Sequence, residues 1–134
     1  MMYLVDTHVL VWLEYGSERL GNIARDVIDS ALQERKLAVS AISFWEIAML
    51  MQKRRIFFET DIGVWRRELL LNGLREISVN GSVAIRAGQL KKMHGDPADR
   101  LIVATALEDS ATLVTADKKI LDWQDLPFKL DASL

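Results

Sequence analysis

Four acidic side chains, Asp6, Glu46, Asp99 and Asp117, each stand beside an apolar run with the pattern of a strand or a buried helix. Carboxylates gathered in one place can hold a divalent cation, and a cation so held can act on a phosphate group. Each acid also has a purely local explanation. Asp6 could be a turn residue, Glu46 the return partner of a capping box begun at Ser43, Asp99 a charge at the positive end of a helix, and Asp117 an N-cap. Convergence separates the two accounts. Unpaired carboxylates at close range repel and raise one another's pKa, so a convergent group needs a cation. All-oxygen ligands suit Mg2+, with Mn2+ possible, rather than Zn2+. The two histidines, His8 and His94, offer a competing acid–base account. Their simpler role is structural hydrogen bonding, His8 on a helix and His94 in a loop.

The elements that must position these groups follow from periodicity. Residues His94 to Ala106 carry Asp96 directly before Pro97, so Asp96 is the expected N-cap and Pro97 the first helical residue. Asp99 then lies in the first turn of a helix that is apolar nearly all round, which is the pattern of a central, buried helix. Met2 to Val5 is a short apolar run without polar alternation, a buried parallel strand that ends at Asp6. Thr7 is the expected cap of the next helix, and Gly16 and Ser17 its end. A second helix is predicted from Leu20 to about Arg35, and a second strand at Leu37 to Ser40. Ser43 and Glu46 match a capping box for a helix reaching about Lys53. Asp61 caps a further helix through Leu71, closed by Asn72 and Gly73.

A third strand is expected at Leu74 to Val79, a helix opened by Asn80, the central helix, and a fourth strand at Thr112 to Thr115. Asp117 then caps a short helix ending near Asp122, and Phe128 to Leu130 is a candidate edge strand. Short apolar strands alternating with helices predict crossovers, hence a three-layer α/β/α fold on a short, mainly parallel central sheet. In such sheets ligands bind outside the carboxyl ends of the strands, the edge to which all four acids are assigned.

Composition bounds the rest. The 134 residues suit a single domain, 1–134, and carry 17 basic against 19 acidic side chains. That balance is not the signature of a non-specific DNA binder. If the acids gather, the remainder is net basic. Lys53-Arg54-Arg55, Arg66-Arg67, Lys91-Lys92 and Lys118-Lys119 could then meet a polyanion around an acidic centre, although each is also an ordinary solvated face. The chain has no cysteine, which removes disulfides and thiolate sites together. No leader segment and no run of about 20 apolar residues is seen, so a cytoplasmic protein without a membrane partner is expected.

Leu4-Val5-Asp6-Thr7-His8, Ser43-Phe44-Trp45-Glu46-Ile47, His94-Gly95-Asp96-Pro97-Ala98-Asp99-Arg100 and Leu113-Val114-Thr115-Ala116-Asp117 resemble, in order, the signature segments of PIN-domain ribonucleases. Within them the chain most resembles VapC-type toxins of toxin–antitoxin pairs. The resemblance implies metal-dependent endonucleolytic cleavage of RNA. It implies Asp6, Asp99 and Asp117 as metal ligands, with Glu46 ligating or orienting water, Thr115 as a supporting hydroxyl and Asp96 as cap or outer support. It also implies a homodimer and an antitoxin protein whose tail crosses the site. Trp12 and Trp65 are assigned to an antitoxin groove and Trp45 to the dimer side, because Trp12, Trp45, Trp65, Phe57 and Phe58 are more large apolar groups than a small core needs.

Rival enzymes fit less well. A dehalogenase-type phosphotransferase needs a second Asp two residues after the first, where this chain has His8. A receiver domain needs an Asp after the third strand, where it has Ile77 to Asn80. A non-catalytic α/β interaction module with a vestigial acidic cluster predicts a broken acid set, and here the set is complete.

Overall fold

The computed structural model describes residues 1–134. Twelve elements follow in order: β1 (Tyr3–Val5), α1 (Thr7–Tyr15), α2 (Asn22–Gln33), β2 (Leu37–Ser40), α3 (Ala41–Gln52), α4 (Ile62–Leu71), β3 (Arg75–Ile77), α5 (Gly81–Gln89), α6 (Pro97–Glu108), β4 (Thr112–Thr115), α7 (Lys118–Leu121) and β5 (Lys129–Asp131). The strands form one sheet in the order β3-β2-β1-β4-β5, and all four pairings are parallel. The sheet is therefore wholly rather than mainly parallel, with the C-terminal segment as its last edge.

Strand periodicity builds the layers. Val5, Val39 and Val114 point to one face, where Leu10, Ala24, Ile28, Phe44 and Trp65 complete a core. Leu4, Ala38 and Leu113 point to the other and meet Ile102, Val103, Ile120 and Trp123. Both sheet faces are covered, which is why the central strands show no polar alternation. The expected burial of α6 is observed: Ile102 to Ala106 are all buried. Fully burying side chains such as Ile102 and Val103 contributes about 1.5–3 kcal/mol each.

Local signals set most helix starts. Asp61, Asn80, Asp96 and Asp117 are N-caps whose side chains accept from backbone amides two or three residues further on, and Pro97 opens α6. Two starts differ from expectation. Asp6, not Thr7, caps α1, with its Oδ1 accepting from Val9 N at 3.1 Å. Ser40, not Ser43, caps α3, so helix begins directly at the end of β2 and no Ser43–Glu46 capping box exists. The reason is tertiary: Ser43 is fully buried, and its Oγ lies 2.8 Å from Thr7 Oγ1. No helix is long and apolar enough to cross a membrane.

Candidate active site

Chain order and sheet order together locate a crevice. From β1 the chain crosses to β2 and then β3, returns to β4 on the opposite side of β1, and goes on outward to β5. Connections leave β1 and β4 in opposite directions, so a cleft opens between their carboxyl ends. Asp6 follows β1, and Thr115 ends β4 with Asp117 two residues beyond.

Asp6 is 5% exposed and doubly held. Its Oδ1 caps α1, and its Oδ2 accepts the Thr115 hydroxyl across 109 residues of sequence. Thr115 Oγ1 in turn accepts from Asp117 N at 3.1 Å, so one hydroxyl ties the two strand ends together. The supporting role expected of Thr115 thus has a geometric basis. Glu46, one turn into α3, accepts the Thr7 hydroxyl at its Oε1. Asp96 does what its position suggests and caps α6 by accepting from Asp99 N at 3.1 Å.

Asp99 is less buried and faces His94, whose Nε2 lies 2.7 Å from Asp99 Oδ2. Ligating atoms of His94, Asp99 and Asp117 all lie within 4.8 Å of one another. His94 is the loop hydrogen-bonder expected, and its partner is Asp99 itself, which places it beside the acids. The signal in the sequence was its position five residues before Asp99, but that spacing means nothing until the loop is folded back.

Arg100 folds it back. Its guanidinium donates to the carbonyls of Ala87 (3.0 Å), Leu90 (2.9 Å), Met93 (3.0 Å) and His94 (3.3 Å). These are the last carbonyls of α5 and the loop that follows, groups a helix end leaves without partners. Charged donors make such bonds stronger than neutral ones. Replacing Arg100 with Ala should cost about 2–3 kcal/mol in urea unfolding. It should also speed hydrogen exchange at residues 91–95 while leaving β1 and β4 protected. Unchanged exchange in that loop would remove Arg100 from this role.

The electrostatics follow from burial. Desolvation pushes the Asp6 carboxyl above its usual range and the nearby Asp99 charge adds, while the Thr115 hydroxyl and Val9 amide oppose. Glu46 is raised by burial first and by Asp99 and Asp96, against the Thr7 hydroxyl. Asp99 is raised by burial first and by Asp96 and Asp117, against its bond with His94. These acids feel one another, and none of the four forms a salt bridge with Lys or Arg. The acids have no Lys or Arg as partner, and the ligating atoms of His94, Asp99 and Asp117 already lie close, which fits a divalent ion; Asp6 and Glu46 are not part of that close group.

A family model for the PIN domain matches residues 3–126, and the chain belongs to that family. Over 118 residues it is 38% identical to Ribonuclease VapC22 of Mycobacterium tuberculosis (strain ATCC 25618 / H37Rv), which spans 87% of this chain and 88% of the relative. Among solved structures it is similar to VapBC2 from Rickettsia felis bound to a DNA fragment from their promoter, at TM-score 0.71 and 19% identity, covering 98% of each chain. It is also similar to DNA-bound VapBC from Salmonella typhimurium, at TM-score 0.71 and 15% identity, again covering 98% of each. At those identities the likeness shows the fold, and the relative of higher identity places the chain with the VapC-type ribonucleases.

The tryptophans divide. Trp65 is 5% exposed, stacks near Phe44 and Phe58, and donates from Nε1 to Glu14 at 2.6 Å. It also lines an apolar cleft of about 180 Å3 between α1, α2 and α4. Trp12 is half-buried against the same core and is not among the residues lining that cleft. Trp65 is therefore mainly a core residue, held there by two aromatic neighbours and a satisfied indole N–H. Trp45, on α3, is 54% exposed.

Proposed function

We propose that this protein is a metal-dependent endoribonuclease, using Mg2+ or Mn2+, and acts as the toxin of a toxin–antitoxin pair. The observation that carries this is the set of mutually repelling acids at the crevice between β1 and β4, with no Lys or Arg to neutralise them. Asp6, Asp99 and Asp117 would hold the ion, and Glu46 would accept a proton from water or orient it. When bound, the ion supplies positive charge to the phosphate and makes water a better nucleophile. Thr115 fixes the Asp6 carboxylate with a hydrogen bond, and Thr7 does the same for Glu46. Lys91, Lys92 and Lys119 line one open cleft, each within three residues of His94 or Asp117; with Asp122 and Asp125 also in its wall the cleft is net basic by one charge, which suits the backbone of an RNA strand entering the site. The test is cleavage of an RNA panel by purified protein with Mg2+, Mn2+ or EDTA. Cutting with an ion and none with EDTA is expected; undiminished cutting in EDTA would overturn the reading.

The partners proposed are an antitoxin protein and a second copy of the chain. The apolar cleft carries Leu13, Leu32 and Leu69 with the acids Glu14 and Asp29 at its rim, which suits a segment with apolar anchors and a basic residue. Asp29→Arg should weaken capture of the protein encoded beside it by about tenfold, measured by calorimetry, without altering thermal stability. Equal affinity would mean that the antitoxin sits elsewhere. Trp45 is assigned to the homodimer face, and Trp45→Glu should shift light scattering toward monomer.

A further inference from the structure

Resting on the reading of the crevice as a metal centre, we infer that His94 is itself a ligand of the ion, giving the site a nitrogen donor that favours Mn2+ over Mg2+. His94, Asp99 and Asp117 bring ligating atoms within 4.8 Å of one another. Ligands of one ion at just over 2 Å lie at most about 4 Å apart, so a small inward movement closes the set. His94 is not carried there by a loose loop. Its own carbonyl and that of Met93 are both bound by Arg100 from within α6, the helix that also bears Asp99. The imidazole and the carboxylate therefore belong to one braced unit.

His94 Nε2 lies 2.7 Å from Asp99 Oδ2, a hydrogen-bonded pair. To ligate, Nε2 would offer its lone pair to the ion, with any proton it held passing to solvent and the ring keeping one on Nδ1. Mg2+ prefers oxygen and holds its water tightly; Mn2+ also favours oxygen, but as a transition-metal ion it tolerates one imidazole better than Mg2+ does. One nitrogen among the carboxylates thus shifts selection toward Mn2+. The other histidine, His8, is exposed and outside the ligating group, so the two can be told apart.

The experiment is pulsed electron paramagnetic resonance of the full-length protein loaded with Mn2+, with calorimetric titration of Mn2+ and Mg2+ into wild type, His94→Gln and His8→Asn. Gln retains a donor toward Asp99 but offers no imidazole nitrogen. Wild type and His8→Asn should show nitrogen modulation from a directly bound imidazole, and His94→Gln should lose it. Mn2+ affinity should fall at least about tenfold in His94→Gln while Mg2+ affinity changes much less. Mn2+ bound without nitrogen modulation in wild type would overturn the inference and leave the metal centre standing. An equal loss for both ions in His94→Gln would also overturn it, reducing His94 to an outer hydrogen-bond partner of Asp99. No Mn2+ binding to wild type would reject both the inference and the metal centre.

Discussion

Asp6→Asn and Asp99→Asn are expected to abolish RNA cleavage, by at least about a thousandfold, while the metal-free protein becomes no less stable. A thousandfold corresponds to about 4 kcal/mol of transition-state stabilisation, within what a positioned ion supplies. Asn is as good an N-cap as Asp, so α1 keeps its start, and position 99 keeps an acceptor for His94. What disappears is a charge that burial already disfavours and, at position 6, the second oxygen, where the amide nitrogen donates to the Thr115 hydroxyl in place of an oxygen accepting from it. The pH dependence follows from the same shifts. Asp6, Glu46 and Asp99 have native pKa values raised above the ordinary 3.8, 4.5 and 3.8. Between the unfolded and native values the native state holds more protons, so metal-free stability falls as pH rises from about 4 through the native pKa values. Each Asn variant should flatten that fall in thermal melts. A variant that still cuts at the wild-type rate in a contaminant-free preparation would end the proposal of a carboxylate-held ion.

Glu46→Gln carries the second large effect. A role in capping α3 is already removed, since Ser40 supplies the cap and Ile42 N bonds to Ser40 Oγ. Gln retains the oxygen that accepts the Thr7 hydroxyl, so the tie between α1 and α3 survives. Only the charge and the proton-accepting capacity are lost. Activity should drop by about a hundredfold or more, the range of a lost acid–base group, with stability unchanged or slightly raised. Circular dichroism melts beside single-turnover cleavage separate the two readouts. Full turnover would show that Glu46 serves only as the acceptor for Thr7.

Much of this site was legible without coordinates, because its parts announce themselves locally. Asp96 before Pro97, Asn80 and Asp61 before amphipathic runs, and Asp117 after an apolar strand are side chains that meet free backbone amides whatever surrounds them. Unbroken apolar strands required a sheet covered on both faces, and the short segments between helices required parallel crossovers.

Sequence alone therefore determined the element order, the α/β class and the placing of Asp6, Asp99 and Asp117 at element ends. Tertiary structure decided everything that depends on which strands are neighbours. Placing β4 beside β1 lets Thr115 reach Asp6 across 109 residues, and no local pattern encodes that meeting. It also decided between two serines that both suit an N-cap. Ser43 was drawn into the core against Thr7, which left Ser40 to start α3 and freed Glu46 from the cap. The same holds for Trp65, taken up by Phe44 and Phe58, and for His94, which joins the site because Arg100 ties three carbonyls of its loop to the Ala87 carbonyl in α5. Short-range hydrogen bonding selects elements residue by residue. Long-range packing chooses among positions that are locally equivalent, because only the folded chain presents the burial and the partners that make one of them lower in energy.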